Sequence, residues 1–174
     1  TATDREGLIA AIDARLQAAL PGTVFSYSQP IELRVAELIA GGRFLCAGEV
    51  GVDYVASWKD STWSTLGRGL NDSVLALAVF DDGGGAALYA AGEFTGVGGG
   101  AASRIARWDG STWSALGSGV DGGVRALIAF DDGGGPALFA GGGFTTAGGV
   151  GANRVAKWDG SSWAPLGSGG NSAV

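Results

Sequence analysis

Short apolar runs, separated by polar segments rich in glycine and aspartate, fill most of this chain. Apolar runs of five to eight residues bounded by turn residues are typical of β-strands joined by tight turns. Each period contains four such runs, so the pattern predicts a mainly β fold built from four antiparallel strands per period. In the best-defined copy these predicted strands are residues 74–80, 87–91, 104–108 and 112–116.

The pattern repeats every 50 residues. Residues 58–107 align without gaps on residues 108–157, and 28 of the 50 positions are identical. A partial earlier copy is indicated by RFLCAGEV at 43–50, which resembles ALYAAGEF at 87–94. This alignment gives Cys46 the position of Ala90 and predicts that it is a small buried residue. Two tryptophans and a following Leu-Gly mark each period: Trp58, Trp63 and 66–67; Trp108, Trp113 and 116–117; Trp158, Trp163 and 166–167.

Alternation along the strands predicts which side chains share a face. Trp108 and Trp113 fall on one side of a hairpin, whether its turn is the two residues Asp109-Gly110 or the four through Thr112, whereas Ile105 and Leu116 fall on the other. Arg104 falls on the tryptophan side by the same count, as does Arg154 in the next copy, and from there either guanidinium could stack on indole. Residues 74–80 are apolar on both faces, which is expected of sheets packed between two neighbours. One face is expected to carry Val74, Ala76, Ala78 and Phe80, and the other Leu75, Leu77 and Val79.

Four-stranded antiparallel sheets that repeat every 50 residues and are buried on both faces predict the blades of a β-propeller. The blades are expected at 74–116 and 124–166, with a partial blade at 43–66 and the start of another at 170–174. Propellers have about four to eight blades, so three do not close a ring. We therefore expect a partial, open propeller whose ends need further blades or self-association.

Residues 1–41 follow a different pattern. Thr3 and Glu6 form a capping box ahead of an apolar stripe, which predicts a helix at 4–20. A strand is expected at 23–28, and Pro30 opens a second helix that continues through Ala40. The chain is thus expected to have an α/β segment (helix-strand-helix) at 1–41 and β repeats at 42–174.

The composition excludes several kinds of chemistry. The chain has no His and a single Cys, which rules out Ser-His-Asp triads, His-bearing metal sites and a four-cysteine zinc site. The net charge of −6 argues against nucleic acid, and no apolar run is long enough to span a membrane. Asp81-Asp82 and Asp131-Asp132 recur at the same turn, so we interpret them as turn residues, with weak Ca²⁺ binding as the alternative.

No catalytic, cofactor or metal residue is therefore predicted. The glycine-rich stretch at 96–100 is expected to form a long loop. It is not expected to bind phosphate, because it has no Lys or Ser/Thr at phosphate-loop spacing and no helix follows it. The six tryptophans are interpreted as core between blades, with an exposed platform for sugars as the alternative.

The motif RIARWDGSTWSALG at 104–117, followed by ALFAGGGF at 137–144, resembles kelch-type propeller repeats. The resemblance covers residues 43–174 and implies a non-enzymatic scaffold or ligand platform with a protein or carbohydrate ligand. Residues 1–41, with LPG at 20–22, SQPI at 28–31 and RVAELIAG at 34–41, resemble part of the periplasmic porter domain of heavy-metal efflux pumps of the resistance-nodulation-division superfamily. The two resemblances leave two hypotheses: a structural or interaction module of a larger extracytoplasmic protein, or an efflux-transporter fragment fused to repeats.

Overall fold

The computed structural model describes residues 37–170, which all lie in a compact unit that begins at Val35. This described part is all β, and it contains no helix long and apolar enough to cross a membrane. The helix predicted at 4–20, the strand predicted at 23–28 and a further repeat beyond 170 fall outside the described residues. Three successive groups of strands follow one another along the chain at intervals of 50 residues.

The first group forms a three-stranded antiparallel sheet, in the order β1-β4-β5, and a separate hairpin of β2 and β3. We call the three-stranded sheet the first sheet. Its strands and hairpin are β1 (Leu38–Gly41), β2 (Cys46–Ala47), β3 (Val50–Gly51), β4 (Val55–Lys59) and β5 (Thr62–Thr65).

The second group forms a four-stranded antiparallel sheet in the order β6-β7-β10-β11, the second sheet, and the hairpin β8-β9. Its strands are β6 (Val74–Asp81), β7 (Ala86–Gly92), β8 (Gly96–Val97), β9 (Gly100–Ala101), β10 (Ile105–Trp108) and β11 (Trp113–Ala115). The four predicted strands are confirmed to within two residues at each end. Residues 96–100, predicted as a loop, instead contain a small hairpin that turns at Gly98 and Gly99, both with positive φ.

The third group repeats the second with the same pairings, giving the third sheet (β12-β13-β16-β17) and the hairpin β14-β15. Its strands are β12 (Val124–Asp131), β13 (Pro136–Gly142), β14 (Thr146–Ala147), β15 (Val150–Gly151), β16 (Val155–Trp158) and β17 (Trp163–Pro165).

The start of the first group corrects two predictions. Leu38 pairs with Trp58, as Leu88 pairs with Trp108, so residues 38–41 are a strand and the predicted helix through Ala40 is wrong there. The repeat therefore begins earlier than residue 43, and its spacing is 50 residues rather than the 44 used to align 43–50 with 87–94. At that spacing Cys46 corresponds to Gly96 in the hairpin, where it is exposed and not buried as predicted.

A β-bulge at Leu75 corrects one face assignment. The pairing of β6 with β7 shifts between Val74 and Ala76. Because a bulge adds one residue, Val74 ends up in the same apolar layer as Leu77, whereas Ala76 and Phe80 face the opposite layer. The strict alternation predicted from Val74 to Phe80 is therefore wrong at its first residue. An equivalent shift occurs in β12.

The second sheet is buried on both faces, as the sequence predicts. On one face Leu88, Ala90 and Trp113 pack against Val55 and Leu66 of the first group. On the other face Phe80, Tyr89, Ile105 and Leu116 pack against a third-group set that includes Leu138, Trp158 and Trp163. Ile105 and Leu116 thus lie opposite the tryptophan pair of their own sheet, which confirms the predicted faces.

Candidate functional site

Each junction between successive sheets is built around a tryptophan and a leucine 47 residues apart. The indole Nε1 of Trp113 donates a hydrogen bond to the Leu66 carbonyl oxygen at 2.9 Å, and Trp163 repeats this contact with Leu116 at 3.2 Å. Both indoles are buried, so these donors are satisfied without water. Burial of Trp113, Trp158 and Trp163 favours the predicted core role over a platform for sugars, while Trp108 is only half-buried.

The glycine after each leucine makes room for the next tryptophan pair. A methyl group on Gly67 would lie 3.0 Å from the Trp108 ring, and one on Gly117 would lie 3.5 Å from the Trp158 ring. Both glycines have positive φ, of 59° and 53°. The Leu-Gly pair that marks the sequence therefore supplies a carbonyl acceptor and a gap for an indole, and this explains its spacing from the tryptophans.

A polar side chain also joins the second and third small hairpins to the loops that precede them. The carboxylate of Asp121 accepts hydrogen bonds from the amides of Thr145 and Thr146 and from the Thr145 hydroxyl. Loss of some solvation opposes ionisation of this exposed carboxyl, but these hydrogen bonds outweigh it and lower the pKa of Asp121 to about 2. At the earlier junction Asn71 accepts the two corresponding amide bonds.

The paired aspartates act within their own turns. Asp81 Oδ1 accepts the amides of Gly83 and Gly85, and Asp82 Oδ1 accepts that of Gly84. Asp131 and Asp132 repeat this arrangement. The interpretation as turn residues is confirmed by these contacts. Within residues 37–170 no three His, Cys, Asp or Glu side chains come together in a way that would hold a metal ion.

Asp82 also contacts Tyr89 and Arg107 of its own sheet. The Tyr89 hydroxyl donates to Asp82 Oδ2 at 2.9 Å, and Arg107 Nε lies 3.0 Å from the same oxygen without the alignment of a hydrogen bond. Burial raises the pKa of Tyr89 to about 12, with a contribution from the bond to Asp82. This phenol stays protonated and structural.

Arg104 and Arg154, which recur one period apart, do not stack on indole, so that interpretation is wrong. Arg104 donates to the Glu93 carbonyl oxygen and pairs with its carboxylate at 3.1 Å, and Arg154 donates to the Gly170 carbonyl oxygen. Each arginine has a positive φ, of 68° and 74°, immediately before its strand begins. Strand alternation therefore does not extend to them.

An open groove of about 630 Å³ lies where the first and second groups meet. It is lined by Asp53, Tyr54, Arg68, Asn71 and neighbouring glycines. Among the described residues, the side chains of Asp53, Tyr54 and Arg68 make no hydrogen bond or ion pair. Sequence reasoning missed this groove, although one signal was available: Tyr54 and Arg68 occupy positions that change from copy to copy, to Arg104 and Ser118 in the second.

A second concave surface lies on the outward face of the third sheet. It forms an open groove of about 380 Å³ and is lined almost wholly by apolar residues. The lining residues are Ala126, Leu127, Ile128, Phe139, Ala140, Gly141 and Val155. Unlike the first groove, this surface offers packing rather than hydrogen bonds.

Comparison of the chain with protein-family models, with curated proteins and with solved structures gives no match.

Proposed function

We propose that the stacked sheets are blades of an open, kelch-like β-propeller and that the chain is a non-enzymatic ligand-binding module of an extracytoplasmic protein. The observation that carries the proposal is the repeated junction, in which the tryptophan of one sheet donates to the leucine carbonyl of the sheet before it. A contact that recurs every 50 residues serves to stack equivalent units. A catalytic group, by contrast, is needed once.

The groove lined by Asp53, Tyr54 and Arg68 is the proposed ligand site. Polar side chains near the junctions such as Asp121 and Asp82 already accept hydrogen bonds from backbone amides. The three groove side chains retain donors, acceptors and an aromatic face for a ligand. Hydroxyl-rich saccharides use this combination, and the guanidinium favours acidic sugars. We therefore propose an oligosaccharide ligand that carries carboxylates.

The proposal is tested by titrating the 174-residue chain with oligogalacturonate, and with cellohexaose and chitohexaose as neutral probes, while following backbone amide NMR shifts. Shifts of the amides around Tyr54 and Arg68 with oligogalacturonate are expected. Arg68→Ala should weaken binding about tenfold or more, as loss of a charged hydrogen bond does. A groove without shifts for any of the three probes would refute the saccharide site.

Ser118→Ala is the matched control, because Ser118 occupies the position of Arg68 in the following copy. It should leave oligogalacturonate binding unchanged. Equal loss of affinity in both variants would show that the effect reflects the junctions in general rather than this groove. The fold part of the proposal is tested independently by solving an experimental structure of the chain, where sheets that stack without a common central axis would refute the propeller.

A further inference from the structure

The two ends of the sheet stack carry complementary halves of the junction that holds the sheets together. At each internal junction, one side supplies an indole pair and the other supplies a leucine carbonyl, a glycine gap and an apolar sheet face. We define the head as the Trp58 and Trp63 side of the first sheet, and the tail as the outward face of the third sheet with Leu166 and Gly167.

The tail is an uncovered copy of a face that is covered in the second sheet. Phe80 in the second sheet is 5% exposed, whereas Phe130, 50 residues later, is 57% exposed. Ile128 on the same face is 60% exposed. Ile105 is completely buried, whereas its counterpart Val155 is partly exposed and lines the apolar groove. The difference arises because the third group covers the second sheet and no described residues cover the third.

The acceptor at the tail is already in the receiving conformation. Gly167 has a φ of 54°, close to the 53° of Gly117, but a methyl group on Gly167 would meet no atom of residues 37–170 within 4 Å. The Leu116 carbonyl oxygen accepts both the Gly119 amide and the Trp163 indole, whereas among the described residues the Leu166 carbonyl oxygen accepts only the Gly169 amide. The tail thus has an acceptor and a gap where an indole would lie.

The head offers the matching donor. Trp58 and Trp63 pair at 5.0 Å between ring centroids, as Trp108 and Trp113 do at 5.3 Å. Both residues of the head pair are only partly buried, and the Trp63 indole N–H donates to no described residue. Trp63 precedes Trp113 by 50 residues, so by the repeat its indole should donate to a leucine carbonyl oxygen, as Trp113 donates to Leu66. The described part of its own chain does not provide this acceptor.

We propose that two copies of this chain associate head to tail, with Trp63 Nε1 of one copy donating to the Leu166 carbonyl oxygen of the next and the apolar tail face packed under the indole pair. The proposal rests on the stacking part of the proposed function, and does not depend on the saccharide groove. Two copies place six sheets in register, which is within the four to eight of closed propellers.

The test is a mixing experiment followed by sedimentation equilibrium at tens of micromolar. The tail variant carries both Ile128→Lys and Phe130→Thr. Both side chains are exposed, so this double variant should fold normally. The head variant Trp63→Ala removes the donor and ring. Each variant alone should be monomeric, with association at least about thirtyfold weaker than in the unaltered chain. Mixed in equal amounts, they should form a heterodimer of twice 17.2 kDa, because one intact head then meets one intact tail.

Three further measurements keep the outcome interpretable. Near-ultraviolet circular dichroism checks the fold of each variant, and Trp63→Phe replaces Trp63→Ala if the latter unfolds, with association weakened about fivefold by loss of the N–H alone. Val150→Lys changes an apolar residue that is 51% exposed outside the tail face and should associate normally.

An unaltered chain that stays monomeric, including one in which residues 1–36 protect Trp63, would overturn the proposal, as would mixed variants that fail to pair. Oligogalacturonate binding by a monomeric chain would show that the ligand site survives this failure.

Discussion

Trp163 Nε1 lies 3.2 Å from the carbonyl oxygen of Leu116, and this hydrogen bond joins two sheets across a buried apolar layer. A donor buried in this way contributes packing area and also fixes the position of its sheet, since a shift along the strand would leave the indole N–H unsatisfied. The stability of the stack should therefore depend most on the tryptophans that pack against the preceding sheet, which are those of the second and third sheets.

Trp163→Ala should lower the free energy of unfolding by roughly 3–5 kcal/mol, as truncation of a buried aromatic does. Trp163→Phe should cost less, because it keeps most of the packing. Trp63→Ala is the matched control at the equivalent, partly buried position of the first sheet, and it should cost clearly less than Trp163→Ala in chemical denaturation. Equal costs at the two positions would contradict the view that the preceding sheet provides the burial.

Tyr89→Phe should cost about 1 kcal/mol, because the packing is retained and only the hydroxyl bond to Asp82 is lost. The third sheet already has Phe139 at the corresponding position, so the ring fits without the hydroxyl. Denaturation of Tyr89→Phe beside the converse change Phe139→Tyr measures the effect. A loss above about 3 kcal/mol would indicate that Tyr89 does more than satisfy Asp82.

Asp121→Asn should make stability less sensitive to acid. The folded pKa of Asp121 is about 2, below the ordinary value of about 3.9, so its ionised form contributes stability above pH 4 that is lost as the pH falls towards 2. The contribution is about 1 kcal/mol or less, because the group is exposed. Asn71 shows that a side-chain amide can accept the same backbone hydrogen bonds, so Asp121→Asn should fold at pH 7. Denaturation midpoints at pH 7, 4 and 2.5 provide the measurement, and an unchanged acid limb would refute this role.

Gly148→Ala and Gly149→Ala should separate steric overlap from backbone strain in one hairpin. Both glycines have positive φ, of 61° and 81°, so each alanine costs about 1 kcal/mol in conformation alone. A methyl group on Gly148 would also lie 2.9 Å from Trp163 Cβ, whereas one on Gly149 meets no described atom within 4 Å. Gly148→Ala should therefore lower the melting temperature more than Gly149→Ala, and the reverse order would contradict this account.

The sequence predicts the second and third sheets well because they preserve one another's pattern. Strand positions, the Trp108 hairpin and the opposite placement of Ile105 all follow from alternation and turn residues. RFLCAGEV matches ALYAAGEF at a spacing of 44, and this match places the first copy out of register with the other two. The correct spacing was available from Phe44, which precedes Trp58 by the same distance as Phe94 precedes Trp108.

Other features have no local signal in the sequence. The bulge at Leu75 lies in a run that is apolar at every position, so no change of pattern marks the extra residue. The groove depends on how residues 53–54 and 68–71 meet across a junction, which requires the stacked structure. Conversely, the hydrogen bond from Trp113 to Leu66 explains afterwards why Leu-Gly recurs at a constant distance from the tryptophans.

The constant spacing of 47 residues between donor and acceptor has a genetic consequence. Deletion of residues 67–116 would bring Trp163 to the position of Trp113 relative to Leu66, and duplication of the same segment would add a unit with both halves of the contact. Unequal recombination between the corresponding stretches of DNA changes the length by whole periods and leaves each remaining bond in register. A gene of this design can therefore lengthen or shorten in steps without passing through a product whose junctions are mismatched.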